Sequence, residues 1–149
     1  MDAEILYDEP LVVVAGVSST WAQRRKIRLA ELVDAEWVLS PFDSLYGSVA
    51  AEAFRAAGLN VPRATVFSTS TPVRSAMLAS GRFLSIVRAS IVRFGSGSTN
   101  LKVLPIDLPT TRRPIGVITL RNRTLSPVAR LFIDCAREVA KGAIKRGSP

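Results

Sequence analysis

Histidine is absent from the 149 residues, which removes the usual general base of serine and cysteine triads and the commonest side-chain ligand of transition metals. Cysteine occurs once, at Cys135, so no internal disulfide can form and a cysteine-rich secreted scaffold is excluded. Cys135 falls on the apolar stripe of the last expected helix, which makes it a small core side chain rather than a nucleophile. Long apolar runs are missing too: none reaches the roughly 18 residues that span a bilayer. Met1 is followed by Asp2 and Glu4 rather than by a basic and then apolar leader, so no membrane partner is expected and a reducing, cytoplasmic setting fits. Gly81, Gly95 and Gly97 lack the strand, spacing and helix of a phosphate-binding loop. Asp34 and Glu36, the nearest pair of carboxylates in mid-chain, stand two apart on a turn and do not aim at one point. No cofactor, no metal site and no catalytic residue is expected.

What is present is a hydrophobic fraction of 48%, enough at this length for one substantial core, and a formal charge of +8. The charge would attract polyanions. The basic residues, however, gather in separate clusters at Arg24, Arg25 and Lys26, at Arg112 and Arg113, and at Lys141, Lys145 and Arg146. Apolar segments part these clusters, which reads as solvated surface rather than as a nucleic-acid groove.

Along the chain, residues 11–15 are a short β-branched run between Pro10 and Gly16, as expected of a strand buried on both faces. Residues 17–26 read as a loop, 29–33 as a turn of helix and 37–39 as a second strand. Asp43 or Ser44 can cap a helix whose apolar face is Val49, Ala50, Ala53, Phe54 and Ala57 and which Gly58 ends. Residues 64–67 predict a third strand, and Thr71 with Pro72 predicts a cap and a proline in the first helical position, the helix running to about Ser80. Strands follow at 83–87, 101–104 (an edge) and 115–120, with a flexible loop at 95–98. Ser126 and Pro127 open a last helix with Val128, Leu131, Phe132, Cys135 and Val139 on its buried face, and the tail beyond Lys141 is expected to fray. This order predicts an α/β domain with a mostly parallel sheet, whose ligands bind at the carboxyl ends of the strands.

Two strand-to-helix turns are rich in hydroxyls: Ser40, Asp43 and Ser44 in one, Ser68, Thr69, Ser70 and Thr71 in the other. Helix starts carry unpaired N–H groups and partial positive charge, so these turns are candidate anion contacts, and Arg74 in the first turn of its helix can add a fork of donors for a carboxylate. Capping alone explains the hydroxyls equally well.

Five segments carry a family likeness: EPLVVVAG at 9–16, IRLAELVDAEWVLSP at 27–41, AFRAAGLNVPRATVFSTSTPVRSAMLASG at 53–81, LKVLPIDLP at 101–109 and RPIGVITLRNRTLSPVARLFIDCAREVAK at 113–141. In this order they resemble the effector-binding domain of LysR-type transcriptional regulators over nearly the whole chain. The resemblance implies a type II periplasmic-binding-protein-like fold, with two α/β lobes joined by two crossover strands and a small effector in the cleft between them. On that basis residues 1–16 are the end of the first lobe and the outgoing crossover, 17–113 the second lobe, and 114–149 the return crossover and C-terminal helix of an incomplete first lobe. The effector contacts it implies are Ser40, Pro41, Phe42, Asp43 and Ser44 in one turn and Ser68, Thr69, Ser70 and Thr71 in the other, beside Arg74. DNA would be reached only through a helix-turn-helix that this sequence does not contain, and a homo-oligomer is expected. Two departures stand out: Ser19, Thr20, Trp21 and Ala22 replace a usual His-Pro-Leu-Ala, and Gly81, Arg82, Phe83 replaces a Gly-x-Gly, which puts Arg82 where little side chain is normal.

The function expected is therefore a ligand-sensing module of a regulator, with a small, anionic effector. A solute-binding protein of a transport system shares the fold and would be told apart by a secretion signal upstream. An enzyme on the same fold is the least supported, for want of histidine or an activated nucleophile.

Overall fold

A computed structural model describes residues 1–95 and 100–145, with side chains described as far as residue 142. The elements in chain order are β1 (Asp2–Glu9), β2 (Leu11–Gly16), β3 (Trp37–Leu39), α1 (Leu45–Ala56), β4 (Ala64–Phe67), α2 (Thr71–Ala79), β5 (Leu84–Arg88), α3 (Ala89–Phe94), β6 (Leu101–Val103), β7 (Arg113–Thr119) and α4 (Pro127–Lys145). Short 3-10 turns occupy Thr20–Gln23 and Leu29–Leu32. The chain divides into two compact units, Pro10–Arg112 and Met1–Glu9 with Arg113–Pro149.

In the unit Pro10–Arg112 a five-stranded sheet has the order β4-β3-β5-β2-β6. The strands β4, β3 and β5 are parallel, and β2 is antiparallel to both β5 and β6. Four strands thus run one way and β2 alone runs against them. The β-branched run of β2 is covered on both faces, which explains its uninterrupted apolar sequence. Leu11, Val13 and Ala15 join Trp37, Leu39, Leu84 and Ile86 on the face packed by Val49, Ala50, Ala53 and Phe54 of α1. Val14 and Val87 face Leu78 of α2 and Ile91 and Val92 of α3 on the other. Trp37 and Phe54 meet edge to face at 5.9 Å, and the Trp37 Nε1–H donates to the Leu32 carbonyl at 2.8 Å, so the largest buried ring also satisfies its one polar atom. Gly58, at φ +73, ends α1 in the left-handed region as its sequence predicts.

In the other unit β1 and β7 form an antiparallel ribbon, Asp2 opposite Thr119 and Glu9 opposite Arg113, and α4 lies against β1. The Arg137 guanidinium grips both oxygens of Glu4 at 2.7 Å.

Several expectations need correction. The larger compact unit runs from Pro10 to Arg112 and includes β2, which pairs with β5 and β6. The sequence does not predict β1 and α3: half of the eight residues of β1 are charged, and α3 has only six residues. The stripe Val128, Leu131, Phe132, Cys135 and Val139 is not buried. Cys135 is exposed and its four apolar neighbours are between 64% and 76% exposed. The physical reason is that α4 carries two apolar stripes. The one turned inward is Ala129, Ile133, Ala136 and Ala140, of which Ile133 and Ala140 are buried. Small side chains let the helix approach closely, so the bulkier stripe is left outside. The helix also runs on to Lys145 rather than fraying after Lys141, while residues 146–149, and 96–98 of the expected glycine-serine loop, lie outside the described residues. Arg82 causes no crowding, because it turns outward to Glu36 (3.1 and 2.8 Å) and over the Phe83 ring. No helix among the described residues is long and apolar enough to cross a membrane.

Candidate functional site

The carboxyl ends of β3, β4 and β5 and the start of β2 meet at one edge of the five-stranded sheet, where a cavity of about 200 Å³ is lined by residues of the larger unit only. Ser40 comes from the turn after β3, Ser44 and Tyr46 from the start of α1, and Thr69, Thr71 and Arg74 from the turn after β4 and the first turn of α2. Leu11 of β2, Ile86, Val87 and Arg88 of β5 and Ile91 of α3 complete the wall.

Local chemistry sets the two turns. Ser44 is the N-cap of α1: its Oγ accepts from the Gly47 amide at 3.2 Å while its hydroxyl donates to the Pro41 carbonyl. This tight turn requires glycine at position 47, since a Cβ there would lie 1.9 Å from the Pro41 oxygen. In the second turn the Ser68 amide donates to the Leu39 carbonyl at 2.9 Å and its Oγ accepts from the Ser70 amide at 3.2 Å. The rings of Phe42 and Phe67 meet edge to face at 5.3 Å, so the turns are held to each other. The cap of α2 is Ser70 rather than Thr71, without a side-chain bond, and Pro72 sits one position further in than the sequence predicts.

Arg74 ties the site together. Its Nε and Nη2 donate to Ser85 Oγ at 3.2 and 2.7 Å, Nη2 also to the Ile86 carbonyl, and Nη1 to Ser40 Oγ at 3.2 Å. Ser85 is fully buried and its hydroxyl donates to the Val38 carbonyl at 2.7 Å. A guanidinium has five N–H groups, so four are engaged and one, on Nη1, remains. The fork expected from sequence is therefore mostly engaged by the protein itself, and what is left for a ligand is the charge, one N–H and the Ser40 hydroxyl. Burial pushes the Arg74 pKa below the usual arginine value, yet the group stays cationic. Among the described residues no carboxylate pairs with it, and no acidic residue lines the cavity. Arg88 adds a second cation, its guanidinium 5.3 Å from the centre of the Tyr46 ring.

Of the residues singled out in the sequence, Ser40, Ser44, Thr69, Thr71 and Arg74 line the cavity together. Pro41, Phe42, Asp43, Ser68 and Ser70 do not line it. Pro41, Phe42 and Ser68 shape the turns, while Asp43 and Ser70 are exposed. Tyr46, Arg88, Leu11, Ile86, Val87 and Ile91 were missed. Only Arg88 had a visible signal, as a charge closing an apolar strand at its carboxyl end. Among the described residues no group of three or more His, Cys, Asp or Glu side chains could hold a metal ion.

A family model described as the LysR substrate binding domain matches residues 1–141. The HTH-type transcriptional regulator GbpR of Azospirillum brasilense is 30% identical over 122 residues, which are 82% of this chain and 36% of that protein. GalR of Pseudomonas putida, another HTH-type transcriptional regulator, is 30% identical over 136 residues, 91% of this chain and 34% of that one. The chain thus spans about a third of the length of these relatives. Among solved structures, the regulatory domain of CcmR from Synechocystis PCC6803 in complex with 2-PG matches with a TM-score of 0.74 at 22% identity, covering 94% of this chain and 67% of that one. The effector binding domain of QuiR in complex with shikimate matches with a TM-score of 0.66 at 22% identity, covering 95% and 66%. These likenesses show the fold, the type II periplasmic-binding-like α/β arrangement of LysR effector-binding domains. With the family match extending over nearly all of its residues, the chain belongs to the LysR substrate binding domain family.

Proposed function

We propose that these residues form the ligand-sensing part of a LysR-type transcriptional regulator and that the cavity at the strand ends takes a small anionic effector. The observation that carries this reading is Arg74: a half-buried guanidinium lines the cavity with neutral partners only, Ser40, Ser85 and the Ile86 carbonyl. A buried charge without a counter-charge is costly, and an anion entering the cavity supplies one. Its contacts are the remaining Nη1 N–H and the hydroxyls of Ser40, Thr69 and Thr71, beside Ser44. The volume of about 200 Å³ is below the ~300–1,000 Å³ of pockets for drug-sized molecules, which favours a metabolite of few atoms. The ligands of the CcmR and QuiR domains, 2-PG and shikimate, are small molecules as well.

In this reading the two compact units correspond to parts of two lobes, and the effector biases their arrangement. That bias can alter DNA binding only if the ligand's affinity differs between the arrangements. DNA would be met through helix-turn-helix residues outside this sequence, in a cytoplasmic homo-oligomer. A solute-binding protein would share the fold, but the relatives named as HTH-type regulators favour sensing over transport. Binding rather than catalysis fits a wall of hydroxyls, guanidinia and aliphatic groups with no carboxylate or histidine to move a proton.

The test is an NMR titration of the 149-residue chain with shikimate, benzoate and butyrate, which are single-charge carboxylates of different shape. We expect at least one to shift the amides around Ser40, Ser44 and Thr69 to Arg74, and Arg74→Gln to abolish the shifts. Failure of all three, or binding indifferent to Arg74→Gln, would overturn the reading.

A further inference from the structure

Arg74 and Arg88 line the same small cavity yet are held by different neighbours. The first is braced by Ser85 and Ser40, the second stands over Tyr46 at the end of β5, two residues beyond the Ile86 carbonyl that Arg74 contacts. Arg74 reaches the cavity from the first turn of α2 and Arg88 from the carboxyl end of β5. Neither has an ion pair with a carboxylate among the described residues, and the described lining residues include no Asp or Glu. Two like charges around one cavity repel, and a single negative charge relieves only half of the imbalance. The wall beside them is aliphatic: Leu11, Ile86, Val87 and Ile91, the first three almost wholly buried. The hydroxyls of Ser40, Thr69 and Thr71 come from the two turns beside Arg74, and that of Tyr46 lies with Arg88.

We propose, building on the reading of this cavity as the effector site, that its ligand is a small aliphatic dianion. One acidic group is met by Arg74 with the hydroxyls of Ser40 and Thr71, a short hydrocarbon segment lies along Leu11, Ile86 and Ile91, and the second acidic group is met by Arg88. Arg88 then sets specificity by counting charge: it separates ligands with two acidic ends from equally long ligands with one.

Three probes of similar length test this on the full chain: glutarate, its monoamide glutaramate, and 3-phosphonopropanoate. Glutarate and glutaramate differ by one charge at almost constant size. One charge-assisted hydrogen bond corresponds to about a tenfold or larger gain in affinity, so glutarate should bind at least about tenfold tighter than glutaramate. Arg88→Gln should remove that preference with little change for glutaramate, and Arg88→Lys should keep part of it. Circular dichroism of both variants checks that they fold, and the comparison of probes on the unaltered chain needs no variant. Tighter binding of either dianion supports the proposal, and the better of the two tells a carboxylate end from a phosphoryl end. Equal binding of all three, or a preference for glutaramate, overturns it and leaves the site reading intact. Should none bind at millimolar concentration, the dianion is wrong, and the single-charge carboxylates of the previous test decide the site reading separately.

Discussion

At the scale of single residues, Ser85 and Gly47 hold the cavity open from behind. Ser85 accepts two bonds from the half-buried Arg74 and donates one to Val38 in the protein interior. Ser85→Ala strands two guanidinium N–H groups and a carbonyl at once. An unsatisfied buried polar group costs ~1–3 kcal/mol, and we expect a loss in that range in urea denaturation, with a weakened response to carboxylates as well. Gly47→Ala pushes a methyl group into the Pro41 carbonyl, which is backbone and cannot step aside. Overpacking of this kind costs about 1–3 kcal/mol, so a melting temperature unchanged by the substitution would contradict the packing described for this turn. How much of the cavity wall is legible in sequence follows from the same residues. Hydroxyls that close an apolar run are local signals, and Ser40, Ser44, Thr69 and Thr71 can be picked out from the order of segments alone. Tyr46 and Ile91 cannot, since their place at the cavity depends on which helix covers which end of the sheet. The engagement of Arg74 by Ser85 is equally hidden, because that serine lies eleven residues further along the chain.

At the scale of elements, α4 shows what a helical pattern does and does not determine. The periodicity of its apolar residues identifies a helix correctly, but with two stripes on one helix the sequence does not say which is covered. The alanine-rich stripe is turned inward and the bulkier one is left exposed. Exposed apolar patches favour association. We expect Leu131→Gln combined with Phe132→Gln to lower self-association in sedimentation experiments, at a stability cost within about 0.5 kcal/mol per site, as for surface positions generally. The pairing of α4 with β1 is also sensitive to acid. The hydrogen bonds from Arg137 hold the Glu4 carboxyl below its ordinary 4.5, so the folded-state pKa is the depressed one. The stabilising effect is complete above the ordinary value and is lost as pH falls through the folded one. Both groups are exposed, so salt should weaken the effect. Amide protection in β1 and α4, taken against the intrinsic exchange rate at each pH, should therefore fall below about pH 4.5, and less steeply in Glu4→Gln. The missed strand β1 has a related explanation: Ile5, Leu6 and Tyr7 stand in succession between charged ends, so the alternation that marks a strand is broken.

At the scale of the whole molecule, nearly all the buried apolar residues among those described belong to the unit Pro10–Arg112, while Ile133 and Ala140 are the described ones of the other unit. Local stability follows burial. Hydrogen exchange should find the slowest amides in β2, β3 and β5, and the ribbon and α4 should open first, below the temperature at which the larger unit melts. A single cooperative transition protecting both equally would refute that ordering. The α/β class and the run of strands and helices were readable in sequence because each buried strand is short, apolar and bounded by Gly, Pro or a hydroxyl. The boundaries between the units were not, since β2 belongs with β5 and β6 through pairings that no local pattern announces.

The register of Glu9 opposite Arg113 has a kinetic corollary. For the ribbon, the entire stretch from Pro10 to Arg112 acts as one enormous hairpin bend. Closing so long a bend in an unstructured chain is entropically unfavourable, by on the order of 0.6 kcal/mol for every doubling of its length. Once that stretch has condensed, its ends are fixed and β1 and β7 zip almost without hindrance. The ribbon is then the last piece to assemble during refolding, and it reports on the completion of everything it encloses.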